Sequence, residues 1–207
     1  MFNWFKRKRN NQANPGSKPC GVAGCKDEAC FFITWAENRK CVKSEDLCDQ
    51  HARMALTSCP PEPRRFPSRS TQDAMEVDLE FVVVTSRHPE QCIYLRDPNE
   101  SCHVPILTGY CEAVALSHQL KGEPISRPLT HDALALIVKT LGGSVDEVYI
   151  DRLDAGVYHA NVTLIQAAYK RVVDIRPSDA IILAVMFQCT IMFNKELWKT
   201  ASSLKSQ

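Results

Sequence analysis

The chain has 207 residues, 44% hydrophobic and 24% charged, with a formal net charge of +1. That is a globular composition, long enough for one ordinary domain plus something small. No apolar run approaches the roughly 20 residues a membrane span requires. The basic start, Lys6 to Arg9, is not followed by an apolar core of signal-peptide length, which argues against secretion and for a cytoplasmic location. Residues 1–74 hold 13 Lys/Arg against 8 Asp/Glu, a balance of +5, and residues 75–207 hold 12 against 16, a balance of −4. The larger part therefore lacks the basic field of a dedicated nucleic-acid binder.

In chain order, residues 1–18 are basic and then polar and turn-rich, as expected of a disordered tail. Residues 19–58 carry the cysteine cluster and are expected to form a zinc-binding knuckle. Residues 59–74, with Pro60, Pro61, Pro63 and Pro67 among Arg64, Arg65 and Arg69, are expected to form an extended linker. Regular structure is expected over 75–200. Alternation from Glu76 to Phe81, turning apolar through Val84, predicts a strand, with two more over Gln91–Leu95 and His103–Leu107. Helical spacing of Ala113, Leu116 and Leu120 predicts a helix over Gly109–Leu120, ended by Gly122. Thr130 is a suitable N-cap for a second helix, with Leu134, Ile137, Val138 and Leu141 on one face and Gly142-Gly143 ending it. Strands follow over Val145–Ile150, Val157–Ile165 and Arg171–Ile175, the first two joined by a turn at Asp154-Ala155-Gly156. Pro177 opens a third helix running to about Phe187. A short strand over Thr190–Phe193 and an exposed tail finish the chain. Hairpins interleaved with about three helices predict an α+β fold with a mixed, largely antiparallel sheet.

Six of the ten cysteines, Cys20, Cys25, Cys30, Cys41, Cys48 and Cys59, fall within forty residues. Such clustering without a signal peptide points to metal rather than disulfides. Cys20-x4-Cys25 and Cys48-x2-His51 are two close pairs, and two short loops can each supply half of a zinc tetrahedron. The residues between, Phe31–Trp35 and Lys40–Lys43, predict a hairpin that fixes the loops, and His51 sits at the start of a helix with Ala52. Cys30 or Cys41 are alternative ligands and Cys59 is spare. Four protein ligands leave no open position for substrate, so the predicted Zn2+ is structural.

Three helix starts carry polar groups that a purely apolar scaffold does not need: Glu112, then Arg127 to Asp132, then Asp174 to Asp179. Singly, each suits ordinary helix-start chemistry, since carboxylates in a first turn complement the helix dipole. Together, the strings Gly109-x2-Glu112-Ala113, Arg127-Pro128-x-Thr130-His131-Asp132 and Asp174-x-Arg176-Pro177-Ser178-Asp179-Ala180 resemble the motifs of the bifunctional nuclease domain family over about residues 75–195. Thr108 and Ile175 depart from the usual apolar residue and alanine, and neither departure removes a polar group. The resemblance implies an α+β domain, often dimeric, in a family named for cutting both DNA and RNA. It implies phosphodiester hydrolysis with a divalent metal, Mg2+ or Mn2+, on the oxygens of Glu112, Asp132, Asp174 and Asp179. His131 is then the general base or leaving-group acid and Arg176 stabilises phosphate charge. The rival expectation is a non-catalytic dimeric regulatory or adaptor module that binds protein or nucleic acid through the zinc knuckle.

Overall fold

A computed structural model describes residues 18–57, 73–86, 88, 90–99 and 102–203. The expected basic tail apart from Lys18, Cys59 and nearly all of the expected linker lie outside the described residues. Two five-stranded sheets and five helices are formed among them. The first sheet has the order β2-β1-β4-β5-β6, built from β1 (Phe31–Glu37), β2 (Lys40–Leu47), β4 (Asp78–Thr85), β5 (Gln91–Arg96) and β6 (His103–Thr108). The second has the order β3-β10-β7-β8-β9, built from β3 (Ala74–Glu76), β7 (Gly143–Asp154), β8 (Val157–Gln166), β9 (Tyr169–Ile175) and β10 (Thr190–Asn194). The helices are α1 (Asp49–Thr57), α2 (Tyr110–Lys121), α3 (Thr130–Thr140), α4 (Pro177–Phe187) and α5 (Lys195–Ser203). All strand pairs are antiparallel except β10 with β7.

Local chemistry sets the turns. Asn38 and Arg39 (φ 49° and 58°) join β1 to β2, and Ala155 and Gly156 (φ 47° and 83°) join β7 to β8. Two positive φ values in a row match the right-handed twist of the flanking strands. Gly122 (φ 64°) closes α2 in the left-handed conformation, where a side chain would be strained.

The main core lies between the sheets. α2 packs on the first sheet, α4 on the second, and the two helices pack against each other. All nine residues from Pro177 to Val185 are buried. A helix enclosed on every side needs no polar stripe, which is why its sequence is continuously apolar after Asp179. On the outer face of the first sheet a second cluster joins Phe31, Ile33 and Leu47 of the hairpin, Ala52 of α1, and Phe81 and Val83 of β4. β4 is thus covered on both faces, Val82 and Val84 inward and Phe81 and Val83 outward, and this accounts for its apolar run. The cysteine-bearing segment is built into this sheet, since Phe31–Trp35 pair with Thr85–Phe81.

Four expectations are corrected. Five helices and two sheets form where about three helices and one sheet were expected. Lys195–Ser203, expected as an exposed tail, form α5: Trp198 is buried edge-on against Phe193, with ring centroids 5.2 Å apart. The N-cap of α3 is Leu129, and Thr130 is its first helical residue. The face of α3 expected to enter the core does not: Ala135 is its only fully buried residue, while Leu134, Ile137 and Leu141 remain exposed.

Candidate functional site

Two polar clusters stand out. The first lies on the outer face of the first sheet. One ligand atom from each of Cys20, Cys25, Cys48 and His51 falls within 4.8 Å of the others, a set that can hold a metal ion such as zinc. Cys25 Sγ and Cys48 Sγ are 3.8 Å apart, and His51 Nδ1 is 3.4 Å from Cys20 Sγ and 3.3 Å from Cys48 Sγ. A tetrahedron with Zn–S near ~2.3 Å and Zn–N near ~2.0 Å has edges of about 3.5 to 3.8 Å, so the spacing fits. The Cys48 backbone N–H donates to Cys20 Sγ. Burial pushes the Cys20 thiol up, but hydrogen bonds from the backbone at Val22 and Cys48, and from His51 and Cys25, outweigh it and bring the pKa down to about 7. The backbone hydrogen bond at Asp27 pulls the Cys25 thiol down, but burial, followed by the neighbouring sulfur of Cys48 and the charge of Cys20, outweighs it and raises the pKa. A cation would relieve that mutual repulsion. Neither alternative ligand joins the set: Cys30 donates to the Glu28 carbonyl and Cys41 packs against the main core.

The second cluster forms where the N-termini of α2, α3 and α4 meet. Glu112 is the third residue of α2, His131 the second of α3, and Asp179 the third of α4, with Arg176 as the N-cap of α4. Arg176 Nε donates to Asp179 Oδ2 (2.7 Å), and its Nη2 reaches both Asp179 Oδ1 (3.1 Å) and Glu112 Oε1 (2.9 Å). His131 Nε2 lies 2.9 Å from Asp179 Oδ1. Burial pushes the Asp179 carboxyl up, yet the hydrogen bonds from His131 and Arg176 hold it below the usual carboxylate range. An ionised Asp179 can only accept, so Nε2 carries the proton and Nδ1 is left as the acceptor nitrogen. The Asp179, His131 and Glu112 side chains are 12%, 13% and 17% exposed, whereas that of Arg176 is 68% exposed. The guanidinium therefore forms the outer surface of a mostly buried dyad, with three positive helix ends behind it.

Asp132 and Asp174 are not brought into this cluster. Asp132 folds back on its own helix, accepting from the Leu129 backbone N–H (2.9 Å) and from Gln119 Nε2 (2.6 Å). Asp174 is exposed on β9, 3.7 Å from Arg152 Nη2. The expected four-carboxylate set for Mg2+ or Mn2+ is not assembled. Among the described residues, the cysteine–histidine group is the metal-ligand cluster that forms.

The family model described as "Bifunctional nuclease domain" matches residues 93–206, more than half of the chain. The chain belongs to the bifunctional nuclease domain family. Two uncharacterized proteins of Mycobacterium tuberculosis, from strains CDC 1551 / Oshkosh and ATCC 25618 / H37Rv, are each 32% identical to it over 110 residues. Those residues make up 53% of this chain and 65% of each relative, so the chain spans just under two thirds of their length. The bifunctional nuclease domain match begins inside β5 and contains Glu112, His131, Arg176 and Asp179; the cysteine–histidine cluster lies outside it.

Gln119 and Arg152, which hold the two aspartates outside this cluster, lie beyond the motif strings, whereas Gly109 is part of the first of them. Gln119 holds Asp132, and only the position of Gln119 on α2, two turns beyond Glu112, hints at that. Arg152 meets Asp174 across two strands, which no local spacing reveals. Gly109 has a clearer signal as the residue before a helix: a Cβ there would collide with Glu112 Oε2.

Proposed function

We propose that this bifunctional nuclease domain protein hydrolyses phosphodiester bonds of DNA or RNA in the cytoplasm, at the His131–Asp179–Arg176–Glu112 cluster. The observation that carries this reading is a histidine fixed by an ionised carboxylate, beside an exposed arginine. Asp179 orients the imidazole, as carboxylates do for catalytic histidines. His131 Nδ1 takes a proton from the attacking water as its oxygen bonds to phosphorus, and the imidazolium returns a proton to the ester oxygen when the P–O bond breaks. Arg176 supports the charge on the phosphate oxygens, and Glu112 holds the guanidinium in place. The arrangement of Asp132 and Asp174 does not fit the divalent-ion set, and no step is assigned to such an ion. The cysteine–histidine cluster fits structural Zn2+, with its four ligands supplied by the chain.

A second reading, a regulatory or adaptor module without catalysis, is favoured by one feature: Arg176 already satisfies two carboxylates. Purified protein incubated with labelled DNA and RNA in Mg2+, Mn2+ or EDTA separates the two. Cleavage by the wild type that is lost in Asp179→Asn supports hydrolysis; equal products from both proteins, or none from either, overturn it.

A further inference from the structure

The hairpin of β1 and β2 has the cysteine–histidine cluster on one side and α2 on the other. Cys20 and Cys25 precede β1, Cys48 and His51 follow β2, and Phe31 pairs with Leu47 between them, so a bound metal clasps the open end of the hairpin. Side chains then alternate along β1. Phe31 and Ile33 join the cluster beside the ligands, whereas Phe32 packs against the main core. Thr34 shares that inner face and is fully buried, and its hydroxyl lies 2.8 Å from the hydroxyl of Ser117 on α2, itself buried. Lys121, the last residue of α2, places Nζ 4.1 Å from the centre of the Phe32 ring. The hairpin is therefore part of the seat of α2, the helix whose first turn carries Glu112 against Arg176. The bifunctional nuclease domain match includes α2 and excludes β1 and β2. A buried polar group of the matched domain thus has its partner on an element outside the match.

We propose that metal bound at Cys20, Cys25, Cys48 and His51 positions Glu112 and Arg176 at a distance, through the hairpin and the buried Thr34–Ser117 contact. Thr34 and Ser117 are positioning residues. An isolated hairpin is marginal in water, and this one joins the rest of its sheet through a single strand pairing, β1 with β4. Metal closes its open end and fixes the inner face that α2 rests on. Without metal, three sulfurs and an imidazole lie close together with no cation to hold them, and the two loops are free to part. Ser117 then loses its partner away from water, and a buried hydroxyl without a partner favours states in which the helix opens toward solvent. Glu112 moves with α2. The Arg176 guanidinium, already exposed, keeps Asp179 as its remaining carboxylate partner and is less closely held. This proposal rests on the hydrolytic reading for its consequence in cleavage, and on the hairpin–helix contact for its structural part.

Amide hydrogen exchange of the full chain, read segment by segment by mass spectrometry, tests the proposal. Zinc-loaded wild type is compared with the same protein after a zinc chelator, with metal content checked by elemental analysis. Zinc removal is expected to speed exchange in α2 on the order of tenfold, while β7 and β8 keep their rates. Thr34→Val retains its zinc and is expected to speed exchange in α2 by a similar factor. Thr34→Ser keeps the hydroxyl and is expected to exchange like the wild type. Unchanged exchange in α2 without zinc, a rise spread evenly over the chain, or equal exchange in the Val and Ser variants would each overturn the proposal. In cleavage, Thr34→Val is expected to raise KM with little change in kcat, and an unchanged KM would overturn the link to Arg176. A wild type that cuts neither DNA nor RNA overturns the hydrolytic reading instead, and the exchange rates still decide the role of the hairpin.

Discussion

The two polar clusters of this protein differ in what each leaves unfilled. In the cysteine–histidine cluster, four soft or borderline donors face one another, two from the loop before β1, one after β2 and one from α1. Their donor atoms converge on one point, where a cation can sit. In the Glu112–His131–Arg176–Asp179 cluster one guanidinium pairs with two carboxylates, and that cation faces solvent. The first arrangement is closed once a metal is bound. The second presents a positive, hydrogen-bonding surface backed by a histidine with one nitrogen held by a carboxylate. A cluster that consumes its charge internally holds a fold together, whereas one that projects its charge can act on a ligand.

The largest effect expected from breaking this contrast is on the first cluster. Structural zinc contributes on the order of 10 kcal/mol to the folding of small zinc units. Cys48→Ala should lose one equivalent of zinc by elemental analysis and melt well below the wild type, with a chelator lowering the wild type toward it. The second cluster should lose activity more than stability. His131→Ala is expected to reduce the cleavage rate by roughly 10²- to 10⁴-fold, with a melting temperature close to the wild type. Asp179→Asn should do both, because it removes the carboxylate shared by His131 and Arg176. Breaking a mostly buried pair costs about 3 kcal/mol, which urea unfolding would read.

The pH dependence follows from Asp179. Its folded pKa lies below the ordinary value of 3.8, so its stabilising contribution is fully present above about pH 4 and is lost as pH falls through the lower folded value. Acid unfolding of Asp179→Asn should lack that step. The smallest effect is expected from Gly109→Ala. The added Cβ meets the end of a flexible side chain, so stability should change by less than about 1 kcal/mol, while Glu112 is displaced from Arg176. A raised KM with little change in kcat would mark a loosened guanidinium.

Much of the architecture was legible in the sequence because local rules coincide there with the fold. Pro177 marks the start of α4, Gly122 the end of α2, and Asp154-Ala155-Gly156 the turn of the longest hairpin. The cysteine–histidine set was readable from spacing, since each pair is local in sequence: Cys20 and Cys25 share the loop before β1, and Cys48 and His51 are about one helical turn apart. What escaped depends on tertiary packing. α5 has too few apolar residues to declare a helix, and it is anchored by Trp198 on Phe193. The exposed stripe of α3 has the periodicity of a buried face, and periodicity alone does not tell a core face from an exposed one.

The site was half legible for a related reason. Asp174 and Arg176 are two apart, a spacing that shares a face only while the strand continues. The strand ends at Ile175 and Arg176 turns into the cap of α4 (φ −65°, ψ 142°), so the two side chains part. His131 and Asp132 are neighbours in sequence, but successive helical residues point about 100° apart. One reaches α4 and the other returns to cap its own helix.

The central claim is that His131, held by Asp179 beside Arg176, moves the proton in phosphodiester cleavage. Its most direct test is the initial cleavage rate of His131→Ala against the wild type on the same labelled DNA and RNA, both proteins having the same fold by circular dichroism. Measurable wild-type cleavage and a loss of at least about 100-fold in the variant are expected. A variant that cuts at the wild-type rate would contradict it.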